Sequence, residues 1–142
     1  MAARGSGKTW FVQLIAAAIA TGGDLGQWEK SAPRRVGIYD SEMALDDIHE
    51  RAAMTGLAAA GDNAHLLHYS DILHARQSAL NLANAHDQKL LLDWCKEDDI
   101  EVLILDNITT AVIGIEENDN NGFREKVQPL LDYLHVGFGK FN

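Results

Sequence analysis

A single cysteine, Cys95, occurs in the 142 residues. That excludes an internal disulfide, and such usage fits a reducing, cytoplasmic compartment. Cys95 lies in an apolar helical stretch, so it reads as a packing residue and not as a reactive thiol. No segment approaches the roughly twenty apolar residues that a membrane-spanning helix needs. The run from Trp10 to Ala20 is too short and is broken by Gln13; it suits a helix packed on a sheet. No signal-peptide pattern is evident. Basic residues are also few. The 12 Lys and Arg stand against 21 Asp and Glu, leaving a net charge of −9. The densest basic pair is Arg34-Arg35. Such a surface repels bare duplex DNA unless its cations are segregated. There is no internal repeat and no low-complexity tract. What the chain does have is 46% hydrophobic residues. That is enough for a core and argues against disorder. The length suits one domain, here residues 1–142.

Apolar periodicity and breakers divide the chain into alternating elements. Lys8 to Thr21 is alanine-rich, apolar and stopped by Gly22-Gly23, which predicts a helix. A loop from Asp24 to Arg35 carries Trp28, expected to pack over a core edge. Val36 to Tyr39 reads as a buried strand. A helix from Met43 to about Leu57 follows, with Leu45, Ile48 and Ala52 on one face. His65 to Tyr69 predicts a second strand and Ser70 to about Ala75 a loop. A helical stretch is expected from about Ser78 to Glu97, with a break near His86-Asp87. Glu101 to Asp106 predicts a third strand, and Asn107 to Gly122 a long loop. Phe123 to His135 carries a clear apolar stripe, with Pro129 kinking it or marking a first turn. This order argues for a parallel sheet with crossover helices.

The first stretch with chemistry in it is Ala3-Arg4-Gly5-Ser6-Gly7-Lys8-Thr9. A phosphate-binding P-loop reads glycine, four residues, then Gly-Lys-Ser/Thr. Gly7, Lys8 and Thr9 supply the end of that pattern, while Ala2 stands at the first glycine position. Small, permissive residues let successive backbone N–H groups turn inward into an anion-binding nest. The helix that follows aims its positive end at the same place. In such a loop Lys8 reaches the β- and γ-phosphates and the Thr9 hydroxyl ligates Mg²⁺.

Carboxylates at strand ends supply the second signal, because open α/β sheets bind ligands beyond the carboxyl ends of their strands. The strand ending at Tyr39 runs into Asp40-Ser41-Glu42-Met43. These residues are site candidates, and Asp40 or Ser41 could equally cap the next helix, with Glu42 in its first turn. The apolar run Val102-Leu103-Ile104-Leu105 ends in Asp106, the Walker B pattern of an aspartate that holds Mg²⁺ beside the phosphates. His65 and His68 invite a zinc reading. On a strand, however, their spacing puts them on opposite faces, and nothing nearby completes a tetrahedral set.

Three segments together resemble the RecA-like P-loop ATPases, and within them the AAA-type (AAA_25) group that includes the RepA hexameric replicative helicases. They are Arg4-Gly5-Ser6-Gly7-Lys8-Thr9-Trp10, then Gly37-Ile38-Tyr39-Asp40-Ser41-Glu42-Met43, then Val102 to Asn107 with Glu117-Asn118-Asp119 after it. The resemblance covers about Arg4 to His135. It implies an α/β, three-layer α/β/α RecA-like core with a mostly parallel sheet. It implies that Arg4 to Trp10 bind the nucleotide, that Thr9 and Asp106 hold Mg²⁺, and that Glu42 is the general base that polarises the attacking water. ATP and Mg²⁺ are the implied cofactors. A homo-oligomeric ring and DNA are the family's partners, and a membrane is not. The family's strand before the P-loop and its strands after the last helix have no counterpart here, so an incomplete, partial domain is expected. The implied function is ATP binding and hydrolysis in a helicase or recombination-type ATPase of DNA replication or repair. An alternative is a truncated non-catalytic fragment that keeps the fold and its nucleotide affinity. A small P-loop kinase fits less well, because the residues after Asp106 are acidic where a kinase needs a basic lid.

Overall fold

The computed structural model describes residues 7–29, 32–116 and 118–138. Arg4, Gly5 and Ser6 of the loop motif lie outside the described residues, as does Glu117. The alanine-rich segment after Gly7 forms α1, Lys8–Thr21. Gly22 ends it at φ 69°, in the left-handed region that glycine enters without a Cβ penalty, and its N–H closes onto the Ala18 carbonyl.

Three strands follow: β1 Val36–Asp40, β2 Ala64–His68 and β3 Val102–Asp106. β1 lies between the other two, parallel to both, and the pairing has no gap. Parallel neighbours need long crossovers. From β1 to β2 the crossover is α2, Leu45–Thr55, with a 3₁₀ segment Leu57–Asn63. From β2 to β3 it is α3, Tyr69–Arg76, and α4, Ala85–Glu97. A short α5, Ile108–Ala111, and the long α6, Asn120–Phe138, come after β3.

Side chains alternate across each strand, so the strands feed two cores. On one face Val36 and Ile38 join Leu66, Val102 and Ile104 against Ala16, Ala17 and Ala20 of α1. On the other, Tyr39, Leu67 and Leu105 meet Ile72 of α3, Leu91 of α4 and Val127 and Leu130 of α6. The result is a sheet between two helical layers, the three-layer arrangement expected. The same alternation assigns the last residue of each strand to α1's side. Cys95 is on the buried face of α4, and burial pushes its thiol up to about 12.

Several expectations need correction. Tyr69–Arg76 is helix and not loop. Ser78 to Asn84 is not helical, and α4 begins at Ala85 with the Asn84 side chain accepting from the His86 N–H. α5 interrupts the long loop, and α6 starts at Asn120 with Pro129 inside it. Trp28 forms a small antiparallel bridge with Leu25 and lines a cleft with Ile15, Ala18 and Ile19 of α1, yet it stays 59% exposed, so it covers that edge only in part.

Candidate active site

The sheet register sets three residues side by side at the carboxyl rim. Asp40 ends β1, opposite His68 of β2 on one side and Asp106 of β3 on the other. Asp40 is only 2% exposed. Its Oδ1 accepts the backbone N–H of Glu42 at 3.0 Å and of Met43 at 2.8 Å, which bends the chain off the strand end. α2 begins later, at Leu45 after Ala44, and carries Asp46 and Asp47 in its first turn. Asp40 is therefore a turn former and not that helix's cap, and Glu42 stands before the first turn instead of in it.

This turn is stitched to the end of β3. The Ser41 N–H donates to the Asp106 carbonyl at 3.0 Å. The Ser41 hydroxyl donates to the Asn107 carbonyl at 3.0 Å, and Thr110 lies against the same hydroxyl. The Asn107 carboxamide donates to Glu42 Oε2 at 2.7 Å, while its oxygen caps α5 through the Thr110 N–H at 2.9 Å. The Asp106–Asn107 peptide is cis. Through its carboxamide Asn107, the residue after Asp106, ties the carboxylate of Glu42 to the end of β3.

α1 approaches the rim from one side. Gly7 precedes it at φ 81°, a left-handed conformation that suits glycine, and Lys8 at its start is exposed. Thr9 and Gln13, one turn apart, line a cavity of about 280 Å³ together with Asp40 and Asp106. Ile38, Ile48 and Leu57 form part of its apolar wall. The Gln13 Oε1 in this wall is buried and has no hydrogen-bond partner. Trp10 turns elsewhere, with the Arg51 guanidinium 5.5 Å from its ring centre.

The predicted site residues therefore fall into groups. Thr9 and Asp106 share one cavity. Glu42 is bonded to Asp106's neighbour but does not line that cavity. Gly7 and Lys8 begin the helix that enters it, and Trp10 packs against α2. His65 and His68 are committed separately: His65 to Asp98 at 3.3 Å and the Asp62 carbonyl at 2.8 Å, His68 to Met43 and Ser70. Sequence reasoning missed Asn107, Gln13 and the role of His68. For Asn107 a signal was present, since it directly follows the Walker B aspartate.

Burial pushes the Asp40 carboxyl above its ordinary range; the two backbone N–H groups pull it back, and the Asp106 charge adds to the rise. Among the described residues no cluster of three or more His, Cys, Asp or Glu could hold a metal by itself. The Asp40 and Asp106 carboxylates, the Thr9 hydroxyl and the unpartnered Gln13 amide oxygen are hard oxygen donors on residues lining this one cavity. Such donors suit Mg²⁺ with some of its waters retained, and a cation there would offset the repulsion between Asp40 and Asp106. The residues fit the ion that the motif implies.

A parallel α/β sheet with a glycine-led helix start and strand-end aspartates on one cavity defines the class, a RecA-like P-loop core. Within that class the chain belongs to the AAA domain family, whose model matches residues 1–135. The comparison with curated proteins finds no match, and neither does the comparison with solved structures. Among the described residues no helix is long and apolar enough to cross a membrane.

Proposed function

We propose that this chain is the ATP-binding and ATP-hydrolysing domain of a RecA-like ATPase of the helicase or recombination type, acting on DNA as part of a homo-oligomeric ring. The observation that carries the reading is the convergence of Thr9 and Asp106 on one cavity, with Glu42 bonded to Asn107 beside it. The motor role and the DNA partner rest on the family resemblance.

In this reading Gly7 and Lys8, with Arg4, Gly5 and Ser6 before them, bind the phosphates, and Trp10 flanks that set. Thr9 and Asp106 would hold Mg²⁺, with Asp40 beside Asp106 in the sheet register; the ion would supply charge neutralisation for the phosphates. The Glu42 carboxylate accepts a hydrogen bond from the attacking water and takes its proton. The water oxygen bonds to the γ-phosphorus as the bond from that phosphorus to the β–γ bridging oxygen breaks. Asn107 holds the glutamate in place through Oε2.

Calorimetry with Mg-ATP and a steady-state phosphate-release assay test this. Lys8→Ala should abolish detectable binding. Glu42→Gln keeps the side chain's shape but not its basicity, so it should retain binding and lower kcat by about 10²-fold or more. Absence of nucleotide binding by the folded wild-type chain would overturn the reading. Binding without turnover would leave the non-catalytic alternative.

A further inference from the structure

His68 ends β2 and is 1% exposed. Both of its ring nitrogens are engaged. The Ser70 N–H points at Nδ1 at 3.2 Å, and the Ser70 hydroxyl lies 2.6 Å from the same atom. A backbone N–H can only donate, so Nδ1 is the acceptor and the ring proton sits on Nε2. Nε2 then donates to the Met43 carbonyl at 2.7 Å. Met43 directly follows Glu42, so this bond crosses from β2 to the turn that carries the proposed base.

That turn is neither strand nor helix, so no regular backbone ladder fixes it. Among the described residues each of the three strands contributes to holding it, and the Arg51 guanidinium of α2 reaches the Met43 sulfur at 3.5 Å. Asp40 takes the N–H groups of Glu42 and Met43, Asn107 takes the Glu42 carboxylate, and His68 takes the Met43 carbonyl. Asp40 and Asn107 act from β1 and from the end of β3. His68 supplies the restraint from β2.

We propose that His68 is a positioning residue for hydrolysis. Its Nε2–H clamps the Met43 carbonyl and so fixes where the Glu42 carboxylate stands over the rim. The inference rests on the proposed role of Glu42. A misplacement of about 1 Å at such a position costs on the order of 10²-fold in rate.

The two ring nitrogens can be tested separately. His68→Asn keeps an acceptor near the Nδ1 position, and so the cap on Ser70, but does not reach Met43. His68→Gln carries an amide donor out to about the Nε2 position. We expect His68→Asn to lower kcat by roughly 10- to 100-fold with KM for ATP within about twofold, and His68→Gln to recover most of kcat. A merely structural histidine would instead lower both variants in step with their folded fraction. An unchanged kcat in His68→Asn, or no recovery in His68→Gln, would overturn the proposal. Amide hydrogen exchange provides an activity-independent readout. Protection at Glu42 and Met43 should fall in His68→Asn and return in His68→Gln. If the wild-type chain shows no turnover, the functional reading fails and exchange alone decides the clamp. Unchanged protection at those two amides would then remove it.

Discussion

Asp40 shows how much one side chain is asked to do. It is a buried acid that accepts two backbone hydrogen bonds, lies beside Asp106 and faces a cavity. Desolvation raises its pKa more than the two N–H groups lower it. The native chain therefore holds this proton to a higher pH than the unfolded chain does. Stability from this residue falls as pH rises through the window between the ordinary value, 3.8, and the raised one, and stays reduced above it. Asp40→Asn keeps an oxygen acceptor for both amides and removes the ionisation. Urea unfolding from acid to neutral pH should show the variant gaining on the wild type as pH rises. A constant difference across that range would mean that Asp40 titrates as it does in the unfolded chain.

At the scale of elements, β1 is the strand that everything else packs around. All five of its residues are buried, whereas those of β3 are half-buried. Gly37 in its middle is there for space. A Cβ would lie 2.9 Å from Cη2 of Trp94 and 3.0 Å from Cγ2 of Ile100. Neither the indole of α4 nor a branched isoleucine can swing away freely, so Gly37→Ala should cost about 1–3 kcal/mol in urea unfolding. Trp94→Phe removes the nearest atom. The double variant should therefore recover part of that loss, with a coupling energy of about 0.5 kcal/mol or more. Strict additivity would show that the clash is relieved elsewhere. The elements legible in the sequence were those with a single strong cause. α1 combined an apolar run with a glycine stop, and the three strands were apolar runs bounded by polar residues. Those that misled had divided causes. Leu80 and Ala83 kept a helix-like apolar rhythm, yet Leu80 and Leu82 are buried anchors of a non-helical segment, with the Leu82 N–H donating to the Ala111 carbonyl at 2.7 Å and Asp87 accepting the Asn81 N–H at 2.7 Å. α3 read as loop because it is short and weakly amphipathic. Its cap is His68, a residue type that carries no start signal, and tertiary contact through Ile72 sustains it.

For the whole molecule the question is how distant stretches come to one rim. The sequence motif at Gly7-Lys8-Thr9 and the strand-end aspartate at 106 stood out by residue type, because the chemistry proposed for them demands particular residues. The parts Asn107 and His68 play did not, because their bonds to Glu42 and Met43 depend on sheet register, which places β2, β1 and β3 side by side; only the position of Asn107 after Asp106 hinted at its part. The charge balance then sets a condition on ligand binding. The chain carries −9 overall, and Asp40 and Asp106 face the cavity that α1 enters. A triphosphate alone meets those carboxylates with like charge, whereas the same triphosphate with Mg²⁺ presents them a cation. A ligand that binds only the folded chain at a hundred times its Kd adds about 2.7 kcal/mol of stability. For a chain of this size that raises Tm by roughly 8–11 °C, at about 3–4 °C per kcal/mol. Thermal unfolding with ATP and Mg²⁺ should show such a rise, with most of it lost in EDTA and in the Lys8→Ala chain. A full shift from ATP in EDTA would mean that the phosphates bind away from Asp40 and Asp106, and the rim would have to be given up as the nucleotide site.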